Sequence, residues 1–373
     1  MKTNSGKTAV ALLALVLLGA TLAAQQTTTP APAPLGRTGQ PEVLASPPAG
    51  TANRQVTLDV AVLDGFGKPL GGLQQQDFTL YDDKQPRKIS SFRAVEGATA
   101  EPPVEIILVV DEVNTSFQDV VIERQQIEKY LQQSGGRLPQ PVSIVFFTDA
   151  GALGSAPSRD TKALIADLNK TKIPLRSIKR SQGYYGAIDR LQLSVNTLGQ
   201  LADHEAVRPG RKLVVWISPT WPLFSGPILP VSGKPQQDVF RSVVAVSDAL
   251  RRARITLYNV NPTGSASVAG SRDYYKAFLK GVSAAKQAQL GNLALQVLAY
   301  QSGGLVLNST NDIAGAIAAC ISDANSYYVL SFDAAAGEGP NEYHALDIKV
   351  DKPGMVARTR SGYYAQPGQA STP

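Results

Sequence analysis

The stretch VEIILVVD, residues 104–111, decides the fold of this 373-residue chain. Apart from Glu105 and the final Asp111, every side chain in it is apolar, which is typical of a strand buried on both faces. Such strands occur in parallel sheets that carry helices on both sides. The same pattern recurs in four later runs, at residues 142–147, 213–217, 255–260 and 305–307.

Amphipathic stretches separate these buried runs. One helical face is apolar between residues 120 and 131. The same periodicity marks residues 161–168, 187–201, 239–252, 284–300 and 313–321. Alternation of buried strands and amphipathic helices over residues 104–323 predicts an α/β domain with a doubly wound, mostly parallel sheet.

Strand patterns of a different kind flank this domain. Residues 54–97 hold an alternating strand at 56–62, a shorter one at 77–81 and a third candidate at 89–95. Residues 326–365 hold strands at 327–332, 344–350 and 355–364. Neither segment has enough strands to be stable alone. We therefore expect the two to pair into one β-sandwich-like domain, with the α/β domain inserted between them.

The N-terminus has the pattern of an export signal. Lys2 and Lys7 precede an apolar run at residues 9–18, and small residues follow, which predicts a signal peptide over residues 1–24. The run is shorter than the roughly 20 residues that a membrane-spanning helix needs, so a retained anchor is the less favoured alternative. We expect a protein of the periplasm, outer envelope or extracellular space, with no transmembrane segment after cleavage.

Composition sets further bounds on the chain. Residues 25–53 are rich in Gln, Thr, Pro, Ala and Gly, which predicts a disordered leader, and residues 366–373 form a polar, loose tail. The net charge of +6 is weak for this length and does not favour a nucleic-acid groove. The single cysteine, Cys320, cannot form an internal disulfide. It lies in a stretch of small residues and is expected to be buried.

No catalytic constellation is evident in the sequence. His204 and His344 lack zinc-ligand spacing, and there is no Gly-x-Ser-x-Gly motif. The glycines and lysine of residues 65–69 lack phosphate-loop spacing. We predict that the protein is not an enzyme; a hydrolase with an unrecognised site is left as an alternative.

A binding site is expected just after the first buried strand, because ligands of open α/β sheets bind beyond the carboxyl ends of the strands. The residues there are DEVNTS, 111–116. Carboxylate, amide and hydroxyl oxygens are the ligands that Mg²⁺ and Ca²⁺ prefer. Asp111, Asn114 and Thr115 are therefore the candidate metal ligands.

At this point the chain resembles von Willebrand factor A domains, whose metal-ion-dependent adhesion site begins with Asp-x-Ser-x-Ser. The order of segments resembles in particular the "VWFA-related domain" proteins abundant in acidobacteria. DFTLY at 77–81, YYVL at 327–330 and RSGYY at 360–364 belong to that pattern, which covers roughly residues 54–365. The resemblance implies a von Willebrand factor A-like fold and an adhesion-type function in which Mg²⁺ joins the domain to a carboxylate of the partner.

The adhesion site departs from the family pattern at three places. Val113 stands where the first Ser is expected, Gln182 where a Thr is expected, and Ser218-Pro219-Thr220 replaces Thr-Asp-Gly. The second carboxylate is therefore missing. We predict a degenerate site that requires no ion and binds Mg²⁺ or Ca²⁺ with low affinity. Asp111 would instead cap the next helix or pair with a basic side chain.

Aromatic residues near the same edge are the candidate partner-binding residues. Trp221 and Phe224 lie in the proline-rich loop 219–235, and Tyr184 and Tyr185 lie in a loop or helix start. Aromatic anchors lose little entropy on contact, so we predict a module that binds an extracytoplasmic protein through this face. Two alternatives stay open: the loop side chains pack back onto the domain, or the chain is a structural component of the cell envelope with a scaffold α/β domain.

Overall fold

The computed structural model describes residues 55–172, 183–222, 232–263, 273–308, 310–334 and 339–365. The predicted signal peptide, leader and tail lie outside these residues, and so do Gln182 and Phe224. All structural statements below concern the described part of the chain.

The described strands form three sheets. Their bounds in the first part of the chain are β1 (Gln55–Leu63), β2 (Phe78–Asp82), β3 (Gln85–Arg87), β4 (Ile89–Glu96), β5 (Glu105–Asp111), β6 (Arg137–Thr148), β7 (Gly151–Gly154) and β8 (Ser158–Asp160). The later strands are β9 (Lys212–Ile217), β10 (Ile255–Val260), β11 (Val306–Leu307), β12 (Ser326–Asp333), β13 (Glu342–Val350), β14 (Val356–Arg358) and β15 (Gly362–Ala365).

The α-helices lie between β5 and β12. They are α1 (Phe117–Gln133), α2 (Thr161–Lys170), α3 (Gly183–Ala206), α4 (Lys234–Arg252), α5 (Leu295–Gln301) and α6 (Ile313–Ser322). Among the residues that the structure describes, no helix combines the length and the apolar character needed to cross a bilayer.

The central sheet has the order β11-β10-β9-β5-β6-β7. Its four inner pairings run parallel, and at the edge β7 and β8 pair antiparallel with β6. Within this sheet, β5 comes first along the chain, β6 follows on one side of it, and β9 and β10 follow on the other side. The strand order therefore reverses between β5 and β9, as in other doubly wound sheets.

Helices cover both faces of this sheet. Helices α1, α2 and α6 pack on one face, and α3, α4 and α5 on the other. All seven residues of β5 are buried, and alternate side chains enter the two cores: Ile106 and Leu108 one, Ile107 and Val109 the other. This explains the unbroken apolar run and confirms the predicted fold class. Residues 105–322 are called the A-like domain below.

The remaining two sheets mix strands from both ends of the chain. One has the order β14-β1-β12-β4 and the other β15-β13-β2-β3. Strand β1 pairs antiparallel with β12, and β2 pairs antiparallel with β13. Their inner faces share one apolar core, which includes Leu58, Leu80, Leu330 and Ile348. The two flanking segments thus form one β-sandwich around the inserted A-like domain.

Two predicted elements were wrong in detail. Residues 355–364 are not one strand, because β14 joins β1 in one sheet while β15 joins β13 in the other. Residues 284–300 are not one helix; short 3-10 turns precede α5. The side chain of Asn292 accepts a hydrogen bond from the backbone N–H of Gln289 (2.8 Å), which starts a new turn at residue 290 and competes with a continuous helix.

The β-sandwich core should be sensitive to truncation at its central strand. Leu330 in β12 is fully buried between β1 and β4. Leu330→Ala should lower the free energy of unfolding by about 2–5 kcal/mol, because it leaves a cavity. Urea unfolding of the full chain measures this, with Val356→Ala in the exposed edge strand β14 as the control. An equal loss in both variants would contradict the role given to this core.

Candidate functional site at the carboxyl edge of the central sheet

The crevice of this sheet lies between β5 and β9, where the strand order reverses. Val110 of β5 pairs with Ile217 of β9, so Asp111 and Ser218 follow at the same edge. The sheet topology therefore places the two sequence segments singled out for metal binding side by side, as the rule for doubly wound sheets requires.

Asp111 is fully buried, and hydrogen bonds from its own chain engage both of its carboxylate oxygens. Oδ1 accepts from the backbone N–H groups of Val113 (3.0 Å) and Asn114 (2.8 Å). Oδ2 accepts from Asn114 Nδ2 (2.9 Å) and from the indole Nε1–H of Trp216 (2.9 Å). The carboxylate thus fixes the turn after β5 and ties it to β9.

The predicted alternative roles of Asp111 were wrong. Ser116, not Asp111, caps α1: its Oγ accepts from the backbone N–H of Asp119 at 3.1 Å. The hydrogen-bond donors described around Asp111 are amide and indole groups, none of them a basic side chain. Burial raises the pKa of Asp111, and the hydrogen bonds from Trp216 and Asn114 oppose that rise.

A second buried acid, Glu123 on α1, was missed by sequence reasoning. Its side chain is fully buried and lies near Thr115. Burial, followed by the charge of Asp111, raises the pKa of Glu123 well above its ordinary value. The signal was present in the sequence, because Glu123 interrupts the apolar face that Val120 and Ile127 define.

The three candidate metal ligands lie together, but their hydrogen bonds point inward. Asn114 turns its Nδ2 donor toward Asp111 and toward Ser194 Oγ on α3 (2.9 Å). Thr115 lies near the buried carboxyl of Glu123. An ion at Asp111 would have to displace the indole N–H of Trp216. This set of donors around the carboxylate does not fit the oxygen cage that Mg²⁺ requires.

The segment after β9 is also held by its own hydrogen bonds. Asn259 of β10 donates to the backbone carbonyl of Ser218 (2.9 Å). The hydroxyl of Thr220 hydrogen-bonds with Gln296 Oε1 on α5 (2.9 Å). Where the family pattern has a second carboxylate, this chain therefore has a proline-containing turn that is fastened to its neighbours.

The prediction that Trp221 is a partner-binding residue was wrong. Its side chain is fully buried and packs edge-on against Trp216, with ring centroids 5.2 Å apart. The alternative that this side chain packs back onto the domain holds for Trp221, because a partner could reach its ring only after the core had opened. Phe224, in the same loop, lies outside the described residues.

The two predicted tyrosines are exposed. Tyr184 is 49% and Tyr185 79% exposed in the first turn of α3, and their rings form an edge-to-face pair. They precede Ser194 by about nine residues, so they lie roughly 14 Å further along the helix axis. Phe117, the first residue of α1, is 61% exposed and was missed. Its position directly after the helix cap was the signal. Phe117, Tyr184 and Tyr185 are called the rim aromatics below.

A separate polar cluster lies in the β-sandwich. His344 Nδ1 lies 3.0 Å from Asp82 and 3.2 Å from Asp83, and the Tyr363 hydroxyl donates to Asp82 at 3.0 Å. Within the described ranges it is the one group of three such side chains close enough to share an ion. The His344 ring is buried and stacks on Tyr363, so the cluster ties the hairpin between β2 and β3 to β13 and β15.

No protein-family model matches the chain, and no curated protein does. The solved structures that are similar to it include the following three. An aerotolerance-related membrane protein from Bacteroides fragilis is 14% identical, with 60% of this chain and 98% of that chain covered and a TM-score of 0.35. The VWA domain of SpRpn10 is 11% identical, with 58% and 93% covered and a TM-score of 0.28. The pilus adhesin SpaC from Lactobacillus rhamnosus GG is 8% identical, with 82% and 51% covered and a TM-score of 0.35. Values this low do not carry the activity of any of these proteins over to this chain.

The hydrogen bond between Trp216 and Asp111 can be isolated by mutation. Trp216→Phe should lower the free energy of unfolding by roughly 1–3 kcal/mol beyond the loss of ring contacts, because it removes a donor from a buried carboxylate. Trp221→Phe is the matched control, since the neighbouring Trp221 Nε1 has no hydrogen-bond partner among the described residues. Urea unfolding at neutral pH gives both values, and equal losses would contradict the assignment.

The burial of Glu123 predicts that the free energy of unfolding depends on pH. Its folded-state pKa lies above the ordinary value of 4.5, so folding takes up a proton between these two pKa values, and stability falls as the pH rises from about 4.5 towards the raised pKa. Glu123→Gln does not titrate and should stabilise the chain at neutral pH by on the order of 1 kcal/mol. The gain should disappear below about pH 4.5.

Glu128→Gln on the same helix is the control for this pH experiment, because its side chain is partly exposed. Urea midpoints measured from pH 4 to pH 8 compare the two variants with the parent chain. A pH-independent difference for Glu123→Gln would show that the carboxyl does not titrate as described.

Proposed function

We propose that this chain is an exported, non-catalytic protein-binding module of the adhesion type, which engages its partner through the carboxyl edge of the A-like domain without an obligatory metal ion. Membership of the acidobacterial group of VWFA-related domain proteins belongs to the same proposal and rests on the motifs at 77–81, 327–330 and 360–364. Location outside the cytoplasm rests on the signal-peptide pattern of residues 1–24.

The observation that carries the proposal is the engaged carboxylate of Asp111. An adhesion-type site needs this oxygen pair for the ion, and the ion in turn needs a free position for the partner's carboxylate. Here the indole of Trp216 and the amide of Asn114 already bind both oxygens. This arrangement supports the proposal of a degenerate adhesion site that binds Mg²⁺ or Ca²⁺ weakly.

The rim aromatics supply the contact surface in the proposal. Aromatic side chains bury large areas at low entropic cost and dominate the energetics of many interfaces. Tyr184, Tyr185 and Phe117 start the two helices that flank β5, so they border the crevice from opposite faces of the sheet. A partner that docks over this edge would contact them before it reached Asp111.

Catalysis has little support in the described residues. The pairing of His344 with Asp82 resembles half of a catalytic triad, but the hydroxyl next to it belongs to Tyr363 and donates to the same carboxylate. His344 is buried, and its ring is covered by Tyr363. A hydrolase remains the second alternative; the first is a structural envelope component that uses its β-sandwich for contacts.

The fluorescence of the two tryptophans of the chain can report metal binding at Asp111. Trp216 touches Asp111 and Trp221 touches Trp216, so a paramagnetic Mn²⁺ ion bound at Asp111 would quench their fluorescence. We expect no saturable quenching from micromolar to millimolar Mn²⁺, in the parent chain or in Asp111→Asn. Saturable quenching in the parent alone would contradict the proposal of a degenerate site.

Partner binding is tested with the full chain as bait against the extracytoplasmic fraction of the cells that make it. The double variant Tyr184→Ser, Tyr185→Ser should lower capture of a specific partner about tenfold or more, because two anchors are lost. Tyr300→Ser is the matched control, since Tyr300 is as exposed as Tyr184 but lies on α5. EDTA should leave capture unchanged. Equal capture by both variants would favour the structural alternative.

A further inference from the structure

A narrow cavity lies where the β-sandwich meets the amino edge of the A-like domain. Its walls come from β1, the end of α4, the start of β10 and the segment that precedes β15. Three arginines line it, together with an aspartate and several hydroxyl side chains: Arg251, Arg254, Arg360, Asp59, Thr57 and Thr256. This site is unrelated to the crevice at Asp111, which lies at the opposite edge of the sheet.

Two of the three arginines have an acidic partner. Arg254 holds Asp59 through two guanidinium nitrogens, with Nε at 3.2 Å from Oδ2 and Nη2 at Oδ1. Arg251 Nε lies 3.6 Å from Asp248 Oδ1, which is an ion pair rather than a close hydrogen bond. Asp59 and Asp248 therefore balance two positive charges of the cavity.

Arg360 is the third positive charge, and no acidic side chain of the described residues contacts it. Its side chain is only 7% exposed, and Nη1 is buried with no hydrogen-bond partner among the described residues. Burial and then the charge of Arg251 lower the pKa of Arg360 to about 10, so it stays charged at neutral pH. The carboxylates of Asp248 and Asp59 act on it only through their more distant charges.

A buried guanidinium with an unfilled donor is costly, and such groups normally have a partner. Three arginines and two aspartates leave one positive charge in excess. The cavity therefore has the charge to take one monovalent anion. An anion beside Arg251 and Arg360 would also offset the repulsion between these two guanidinium groups.

The size of the cavity restricts the anion. About 20 Å³ is open to the centre of a water molecule, which is room for one or two waters or a monoatomic ion of similar size. A phosphate or sulfate group would need several times more space. The hydroxyl of Thr256, a residue 5% exposed in the cavity wall, adds a neutral donor of the kind that a small anion accepts.

The backbone around Arg360 is built for this close approach. Gly303 adopts a φ of +91°, and a Cβ there would lie 2.6 Å from the carbonyl carbon of Thr359 and 2.9 Å from the backbone nitrogen of Arg360. Only glycine lets the segment before β15 pass this near to the end of α5. The sequence around Gly303 thus places the guanidinium of Arg360 against the A-like domain.

We propose that this cavity binds one small monovalent inorganic anion of the halide class, held by Arg360 and Arg251, at the junction of the β-sandwich and the A-like domain. The anion contacts residues of both domains, so it binds the assembled fold and not the unfolded chain. Its binding stabilises the junction by mass action.

Thermal unfolding of the full chain at constant ionic strength tests the site. Chloride replaces methanesulfonate, which is too large for the cavity, between about 1 mM and about 300 mM. We expect the midpoint of thermal unfolding to rise by roughly 2 °C. This is the shift that one site produces in a chain of this length when the anion concentration is about ten times the dissociation constant. Arg360→Gln should remove the rise, and Arg252→Gln, an exposed arginine at the same end of α4, should keep it.

A second measurement covers the case in which Arg360→Gln does not fold. Crystals of the parent chain soaked in bromide should show an anomalous peak beside Arg360 and Arg251. A midpoint that does not depend on chloride, together with no bromide peak in the cavity, would overturn the proposal. So would an equal chloride effect in the parent chain and a folded Arg360→Gln variant.

Discussion

The pairing of β1 with β12 is the contact on which the rest of the architecture depends. It joins the two segments that flank the A-like domain, from Gln55 opposite Asp333 to Val60 opposite Tyr328. Because both flanking segments must meet, the inserted domain has to begin and end at the same place. That place is the amino edge of the central sheet, where Arg254 binds Asp59 and Arg358 binds Asp323.

This arrangement leaves the carboxyl edge of the sheet uncovered by the β-sandwich. The same edge carries the reversal between β5 and β9, so the crevice and the contacts that hold the domains together lie at opposite ends of the strands. The polar groups within the crevice form hydrogen bonds inside the domain, where Asn114 and Trp216 both donate to Asp111. In the proposed function, this edge therefore offers another molecule the surface of its rim rather than an ion in its centre.

The fold could be predicted further than the site. Hydrophobic periodicity and burial are encoded locally in the sequence. A strand with apolar residues on both faces, such as β5, is stable mainly in the centre of a sheet that is covered on both sides. Side-chain direction within loops is not encoded locally. Trp221 lies in a loop whose composition is typical of a binding surface, but its ring packs on Trp216. Residues 355–364 have the composition of one strand, but they divide between two sheets. The sequence marks Glu123 as an acid on the apolar face of α1, but its proximity to Asp111 follows only from the packing of that helix.

The insertion also sets an order of events during folding. Thr57 and Ser331 touch through their hydroxyls but stand 274 positions apart in the chain. As synthesis proceeds from the N-terminus, β1 emerges long before the strand that completes its sheet, whereas the A-like domain can close its largely local strand–helix contacts first. Until β12 arrives, β1 presents unpaired backbone groups and an apolar face, so the slow step and the period of greatest exposure to aggregation fall on the β-sandwich.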